Sequence, residues 1–198
     1  MFSMAIPWSD PPQDLAKMPL RVGMAVAQAL ADWSTEQPMV KWPNDVYIDD
    51  RKVCGILIES SARRDQGNVQ EYSIIGIGIN CCVDLQGGPD ALQGSAISLH
   101  HAAPRSLSAS ICPESILVAV VTKWLALGQR SIDDPEWLDR EWPHWSWLDG
   151  KWVEVVSGGN SSIGVAEGIE PSGALRIKDR FGRTCAFLSG TVRTITGN

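Results

Sequence analysis

Apolar positions along this chain follow two rhythms, and the change between them falls near Leu148. Between residues 14 and 33, Leu15, Met18, Val22, Met24, Val26, Leu30 and Trp33 recur mostly at intervals of two to four, which predicts a helix with a broad buried face. Residues 2–6 read as an apolar strand stopped by Pro7, and 9–13 as a polar, proline-rich loop. Strand-like runs follow at 39–42, 46–48, 53–60 and 72–79. The β-branched flanks around Asp49, Asp50, Arg51 and Lys52 predict a hairpin with a four-residue connection. The charged stretch 62–70 predicts a mobile surface connection, and 87–94, which contains Gly-Gly-Pro, another loop.

Pro113 suits the first turn of a second helix, which carries Ile116, Leu117, Val120, Val121, Trp124, Leu125 and Leu127. A shorter helix with Trp137, Leu138 and Trp142 follows Asp134-Pro135. Beyond Gly150, short alternating segments at 152–156, 162–166, 174–177, 184–187 and 191–195 are separated by Gly, Ser, Asn and Asp. That texture predicts a small all-β barrel of about five strands. The expected organisation is thus an α+β domain over 1–147, with a mixed sheet and packed helices, and a barrel over 148–198. Trp137, Trp142, Trp145, Trp147 and Trp152 straddle the boundary and are expected to pack it, an aromatic binding platform being the competing reading.

Composition narrows the class. An apolar fraction of 44% with nine tryptophans supplies ample surface to bury. A net charge of −6 argues against a duplex-wrapping nucleic-acid binder. No apolar run reaches the ~20 residues of a membrane span, and Pro7, Asp10, Pro11 and Pro12 interrupt any secretory leader, so a cytosolic protein is expected. The five cysteines are odd in number and lack disulfide or zinc spacing, and Cys81 and Cys82 would point to opposite faces of a strand. No P-loop, nucleophile elbow or complete dinucleotide fingerprint occurs. His100 and His101 read as solvated loop residues.

The chemistry-bearing residues are concentrated in one stretch. Lys41-Trp42-Pro43-Asn44-Asp45 ends one strand, Lys52 and Gly55 lie in the next, and Gly76, Gly78 and Asn80 in the one after. Singly, each has an ordinary structural explanation: a proline-stopped strand, a lysine at a hairpin tip, glycines at a close approach. Together they set cations, an amide, a carboxylate and open backbone side by side, a set suited to a small acid and a nucleotide triphosphate.

The run KWPNDVYIDDRKVCGILIE, followed by IIGIGIN, resembles the catalytic core of the biotin protein ligases, and the likeness extends from Phe2 to an SH3-like barrel at the C-terminus. The resemblance implies an ATP-dependent enzyme that forms biotinyl-5′-AMP and passes biotin to a lysine of a carboxyl-carrier domain. It implies catalytic roles for Lys52, which stabilises charge between two anions, and for Asp45, which orients Lys52 and helps the carrier lysine lose its proton. Lys52, Gly55, Ile56, Gly76 and Gly78 would bind biotin; Lys41, Asn44 and Asn80 would bind the nucleotide, Asn44 together with Mg²⁺. ATP, biotin, Mg²⁺ and the carrier domain are the implied ligands and partners.

Three features depart from the family. Gly190-Thr191-Val192-Arg193 lacks the glutamate of the usual closing motif, Cys54 replaces a commoner alanine, and the Gly-Arg-rich loop that covers the intermediate would precede Phe2. A relative that binds biotin or the carrier without turnover is therefore the alternative, and a lipoate ligase or octanoyl transferase a further one. An exposed sheet edge near 39–42 would serve a homodimer.

Overall fold

The computed structural model describes residues 1–7, 16–65, 68–85 and 94–196. Five strands form the first sheet: β1 (Phe2–Pro7), β2 (Met39–Lys41), β3 (Asp45–Ile48), β4 (Arg51–Asp65) and β5 (Asn68–Ile79), in the order β1-β5-β4-β3-β2. The sheet expected to be mixed is antiparallel in every strand ladder. Parallel pairing appears as isolated bridges, Val40 with Ser146 and Lys52 with Ala96.

Helix α1 (Met18–Leu30) lies on one face of this sheet, and α4 (Pro113–Asp133) packs on α1. The short helices α2 (Leu99–Ala102) and α3 (Arg105–Ser108) stand between them in the chain. Leu20, Val22, Met24, Val26 and Leu30 of α1 are buried against the sheet's inner residues, among them Val40, Val46, Ile56, Ile75 and Ile77. Gly23 permits the close approach: a Cβ there would stand 3.0 Å from Val40 Cγ1. Helix α4 begins at Pro113, and the Cys112 thiol caps it by accepting the Ser115 amide at 3.4 Å.

After α5 (Trp137–Trp145) the chain builds a second antiparallel sheet from β6 (Trp152–Ser157), β7 (Asn160–Ile169), β8 (Leu175–Lys178), β9 (Thr184–Phe187) and β10 (Thr191–Thr194), ordered β10-β6-β7-β8-β9. These C-terminal strands form a small all-β unit whose inner residues Val153, Val155, Ala166 and Ile177 join the core of the first sheet. Trp42, Trp137 and Trp142 are each 2% exposed or less. Trp42 also donates its indole N–H to the Gly173 carbonyl at 3.1 Å, tying the first sheet to the second. Arg193 of β10 pairs with Glu154 of β6, so an acidic partner for this arginine comes from the neighbouring strand.

Several expectations are corrected. The β3–β4 connection is a two-residue turn, Asp49-Asp50, with φ of 51° and 56°; Arg51 and Lys52 belong to the strand. Asp tolerates this left-handed geometry, which matches the strand twist in tight hairpins. The stretch read as a mobile connection over 62–70 is paired strand from Ala62–Glu71 to Asp65–Asn68, held by backbone pairing between β4 and β5. Cys81 and Cys82 lie in a bend past the end of β5, not in a strand. His100 and His101 are exposed residues of α2, where Ser98 Oγ meets His101 Nδ1 at 2.7 Å. The edge at β2 is partly covered, since Val40 O accepts the Trp147 amide at 2.8 Å. Residues 9–13 and 87–93 lie outside the described residues.

Candidate functional site

The open face of the first sheet carries the site. Cross-strand pairs Asp45–Gly55, Gly55–Gly78, Leu57–Gly76, Ser3–Gly76 and Glu59–Ile74 run across it in adjacent rows. Side chains alternate between faces, so the partners of these residues in the strands, such as Val46, Cys54 and Ile75, point into the helical core. A hollow of about 380 Å³ is lined by Asn44, Asp45, Lys52, Gly55, Ile56, Gly76 and Gly78 together with Met1, Ser3, Leu57, Glu59 and Ile74.

Lys52 joins that face through a register shift. Val46 pairs with Cys54, but Tyr47 pairs with Lys52, leaving an extra residue in β4. A bulge of this kind reverses the alternation, so Lys52 shares a face with Gly55 rather than with Cys54 and Ile56. Its Nζ lies 2.5 Å from Asp45 Oδ1, with the two side chains 42% and 20% exposed. The Lys52 backbone is held by the following segment, donating to Ser95 O at 2.9 Å and accepting from Ile97 N at 3.0 Å.

The three glycines differ in what they do. A Cβ at Gly55 would stand 3.2 Å from both Cε and Nζ of Lys52, so this glycine preserves the lysine's position. At Gly76 and Gly78 the nearest atoms to a Cβ would be 3.7 Å and 3.8 Å away, which leaves the backbone there as an open floor. Ile56 lines the hollow although it is itself buried. Its side chain reaches toward α1, while its N–H donates to Asn44 O at 2.9 Å and its carbonyl accepts Asn44 Nδ2 at 2.7 Å. Asn44 is thereby locked beside Gly55, and the oxygen end of its amide is the part left to meet a ligand.

Two of the residues singled out in the sequence stand apart from this hollow. Lys41 donates to the Tyr47 hydroxyl at 3.1 Å and lies 5.0 Å from that ring's centroid. Asn80 fastens β5 to the next segment: its N–H donates to Val53 O at 2.9 Å, its carbonyl accepts Leu99 N at 2.7 Å, and Nδ2 reaches Ile97 O at 3.4 Å. Sequence reasoning missed Ser3, Leu57, Glu59 and Ile74. Period-two alternation from Gly55 and Gly76 would have found Leu57, Glu59 and Ile74. A larger hollow, about 970 Å³, lies on the C-terminal sheet beside Trp152, Ile163, Arg180 and Phe181, away from every one of these groups.

The site unites a cation, a carboxylate and an amide at one end of an uncrowded glycine floor, with Leu57 and Ile74 offering apolar surface farther along. That arrangement can seat an elongated acid with its carboxylate at Lys52.

Residues 1–80 match the model of the Biotin/lipoate A/B protein ligase family. The bifunctional ligase/repressor BirA of Salmonella typhimurium is 26% identical over 162 residues, which take in 80% of this chain and 47% of that protein. BirA of Bacillus subtilis is 34% identical over 108 residues, 54% of this chain and 32% of its own length. The biotin–[acetyl-CoA-carboxylase] ligase of Paracoccus denitrificans is 32% identical over 155 residues, 73% of this chain and 58% of that enzyme. The chain thus spans about half the length, or less, of the BirA relatives it matches. Among solved structures, the biotin protein ligase of Aquifex aeolicus superposes with a TM-score of 0.76 at 21% identity, covering 98% of this chain and 82% of that one. The same enzyme in complex with biotin and ATP gives 0.74 at 21% identity, covering 98% and 78%. Over residues 1–80 this chain is similar in sequence to the biotin/lipoate A/B protein ligase family, and over nearly all of its length it shares the fold of the Aquifex aeolicus biotin protein ligase.

Proposed function

We propose that the chain carries out biotin–protein ligation in the cytosol. A biotin carboxylate oxygen attacks the α-phosphorus of ATP, the bond to the bridging β-phosphate oxygen breaks, and pyrophosphate leaves. The amine of a carrier lysine then attacks the acyl carbon, AMP departs with the acyl oxygen, and the amine's proton is taken up. The observation that carries this reading is the Lys52–Asp45 pair at the head of a glycine-floored hollow.

In that reading Lys52 lies between the carboxylate and the α-phosphate, where it offsets the repulsion of two anions and the charge that builds as they join. Asp45 holds the ammonium in place and later accepts the proton of the incoming carrier amine. Gly76 and Gly78 form the wall along biotin, Leu57 and Ile74 cover its apolar parts, and Gly55 keeps space for Lys52. Asn44 turns its amide oxygen to the phosphates and their Mg²⁺. One neutral oxygen suits an ion that keeps most of its waters and phosphate ligands, and the ion would withdraw charge from the phosphates. Lys41 and Asn80, which stand apart from the hollow, would act on the nucleotide only from outside it. The five free thiols accord with a reducing compartment.

The test is biotin-dependent exchange of labelled pyrophosphate into ATP, with biotin and lipoate in competition. Exchange that requires biotin supports ligation. Biotin binding by calorimetry without exchange would point to a binder, and preference for lipoate to the sister activity.

A further inference from the structure

Lys52 reaches Asp45 because β4 is bulged, and the residue facing it across the bulge is Tyr47. Tyr47 is held by more than its own sheet. Its ring meets that of Trp147 with centroids 4.8 Å apart and planes tilted by 41°. The Lys41 ammonium that donates to the Tyr47 hydroxyl also lies 5.7 Å from the Trp147 ring centroid.

Trp147, in the link between α5 and the C-terminal sheet, is itself fixed on several sides. Its amide donates to Val40 O at 2.8 Å, and its indole N–H donates to Asp50 Oδ1 at 2.7 Å. Lys151 Nζ lies 3.5 Å from the ring centroid and 3.5 Å from the same Asp50 oxygen. Asp50 is the second residue of the β3–β4 turn. One tryptophan therefore grips both the turn and the bulge partner of the strand pair that presents Lys52.

Burial is not the purpose that best fits Trp147. Trp42, Trp137 and Trp142 are buried to 2% exposure or less, whereas Trp147 remains partly exposed. An ion pair between groups as open as Lys52 and Asp45 gives only about 0–1 kcal/mol by itself, so it holds one geometry only if the backbone beneath is rigid. A bulge interrupts the ladder at that point, which makes an external clamp consequential.

We infer that Trp147 is a positioning residue for Lys52: through Tyr47 and Asp50 it fixes the bulged strand pair that aims Lys52 at Asp45, and so couples the seating of the C-terminal sheet to the site. The kinetic consequence rests on the proposed ligation; the placement of Lys52 does not.

The full chain has six lysines, few enough to resolve as ¹³C-methylated amines by NMR, with Lys52 assigned by Lys52→Arg and its unpaired position set by Asp45→Asn. Trp147→Ala should move the Lys52 signal to that unpaired position, and Trp147→Phe, which keeps the ring, should leave it nearer the parent. In pyrophosphate exchange, Trp147→Ala should lower kcat about tenfold, as small misplacements of a reacting group do, with KM for biotin unchanged. A folded Trp147→Ala protein whose Lys52 signal stays at the parent position overturns the inference, as does a change in KM alone. If Trp147→Ala does not fold, the double replacement Asp50→Gly with Lys151→Met, which removes the indole's acceptor and keeps the turn's positive φ, decides by the same signal. A parent without exchange counts against ligation, and the NMR signal then decides the inference alone.

Discussion

Lys52 and Asp45 meet at 2.5 Å although neither is the other's cross-strand partner: Asp45 lies opposite Gly55, and Lys52 opposite Tyr47. The contact runs diagonally over Gly55, whose missing side chain leaves the lysine room. A lysine thus sits on the open face of a strand whose simple alternation would have buried it.

Lys52→Met is expected to reduce biotin-dependent exchange by about 100-fold or more, the order seen when a charge-stabilising donor is lost. Stability should change by less than about 1 kcal/mol, because the pair is partly exposed. Exchange kinetics and urea denaturation of the same preparations check both halves. A large loss of stability with intact exchange would contradict the role.

Gly55→Ala and Gly78→Ala should part company. The first pushes a methyl to 3.2 Å from Lys52 Nζ and should displace the lysine even without ligand. The second meets only the Gly55 carbonyl at 3.8 Å and should weaken biotin binding while leaving the free protein as it was. Calorimetric titration with biotin and the melting temperatures of both variants distinguish the two.

Trp42→Phe removes a buried donor that bonds Gly173 O at 3.1 Å and leaves a small void. A cost of about 2–3 kcal/mol is expected from the orphaned carbonyl and the lost packing. Chemical denaturation followed by the remaining tryptophans measures it.

Glu154 has its carboxyl held below the ordinary value, first by the Ser161 hydroxyl and then by Arg193. A group whose folded pKa is depressed binds fewer protons folded than unfolded, so its stabilisation is present above about 4.5 and is lost as pH falls through the folded value. Glu154→Gln should therefore flatten the loss of melting temperature on acidification below that pH. An unchanged acid limb would show that the pair does not contribute.

Cys54 is 1% exposed, and burial pushes its thiol well above the ordinary range. Cys82 and Cys185 are exposed. Iodoacetamide at neutral pH should label the exposed pair in the native protein and reach Cys54 only on unfolding, because the thiolate is the reactive form. Peptide mass spectrometry before and after denaturant reads this directly.

Much of the fold was legible because local chemistry determines it. The period of apolar residues marks α1 and α4, Pro113 sets where α4 begins, and Gly, Ser and Asn between short alternating runs mark the five C-terminal strands. The pairing of 62–65 with 68–71 was illegible, since these strands are held by backbone pairing with each other and their sequence is polar and carries no apolar alternation. The short stretch around Lys41, Asp45, Lys52, Gly55, Gly76 and Gly78 was identifiable from residue types and order alone. Which of them converge was decided by tertiary structure: the bulge brings Lys52 to Asp45, the ring of Tyr47 draws Lys41 aside, and Asn80 is spent on backbone carbonyls. Sequence by itself determined the chemical groups and the strands that carry them, because composition and periodicity are local properties. Only the fold decided which side chains share a face, because one extra residue in one strand reverses every orientation beyond it.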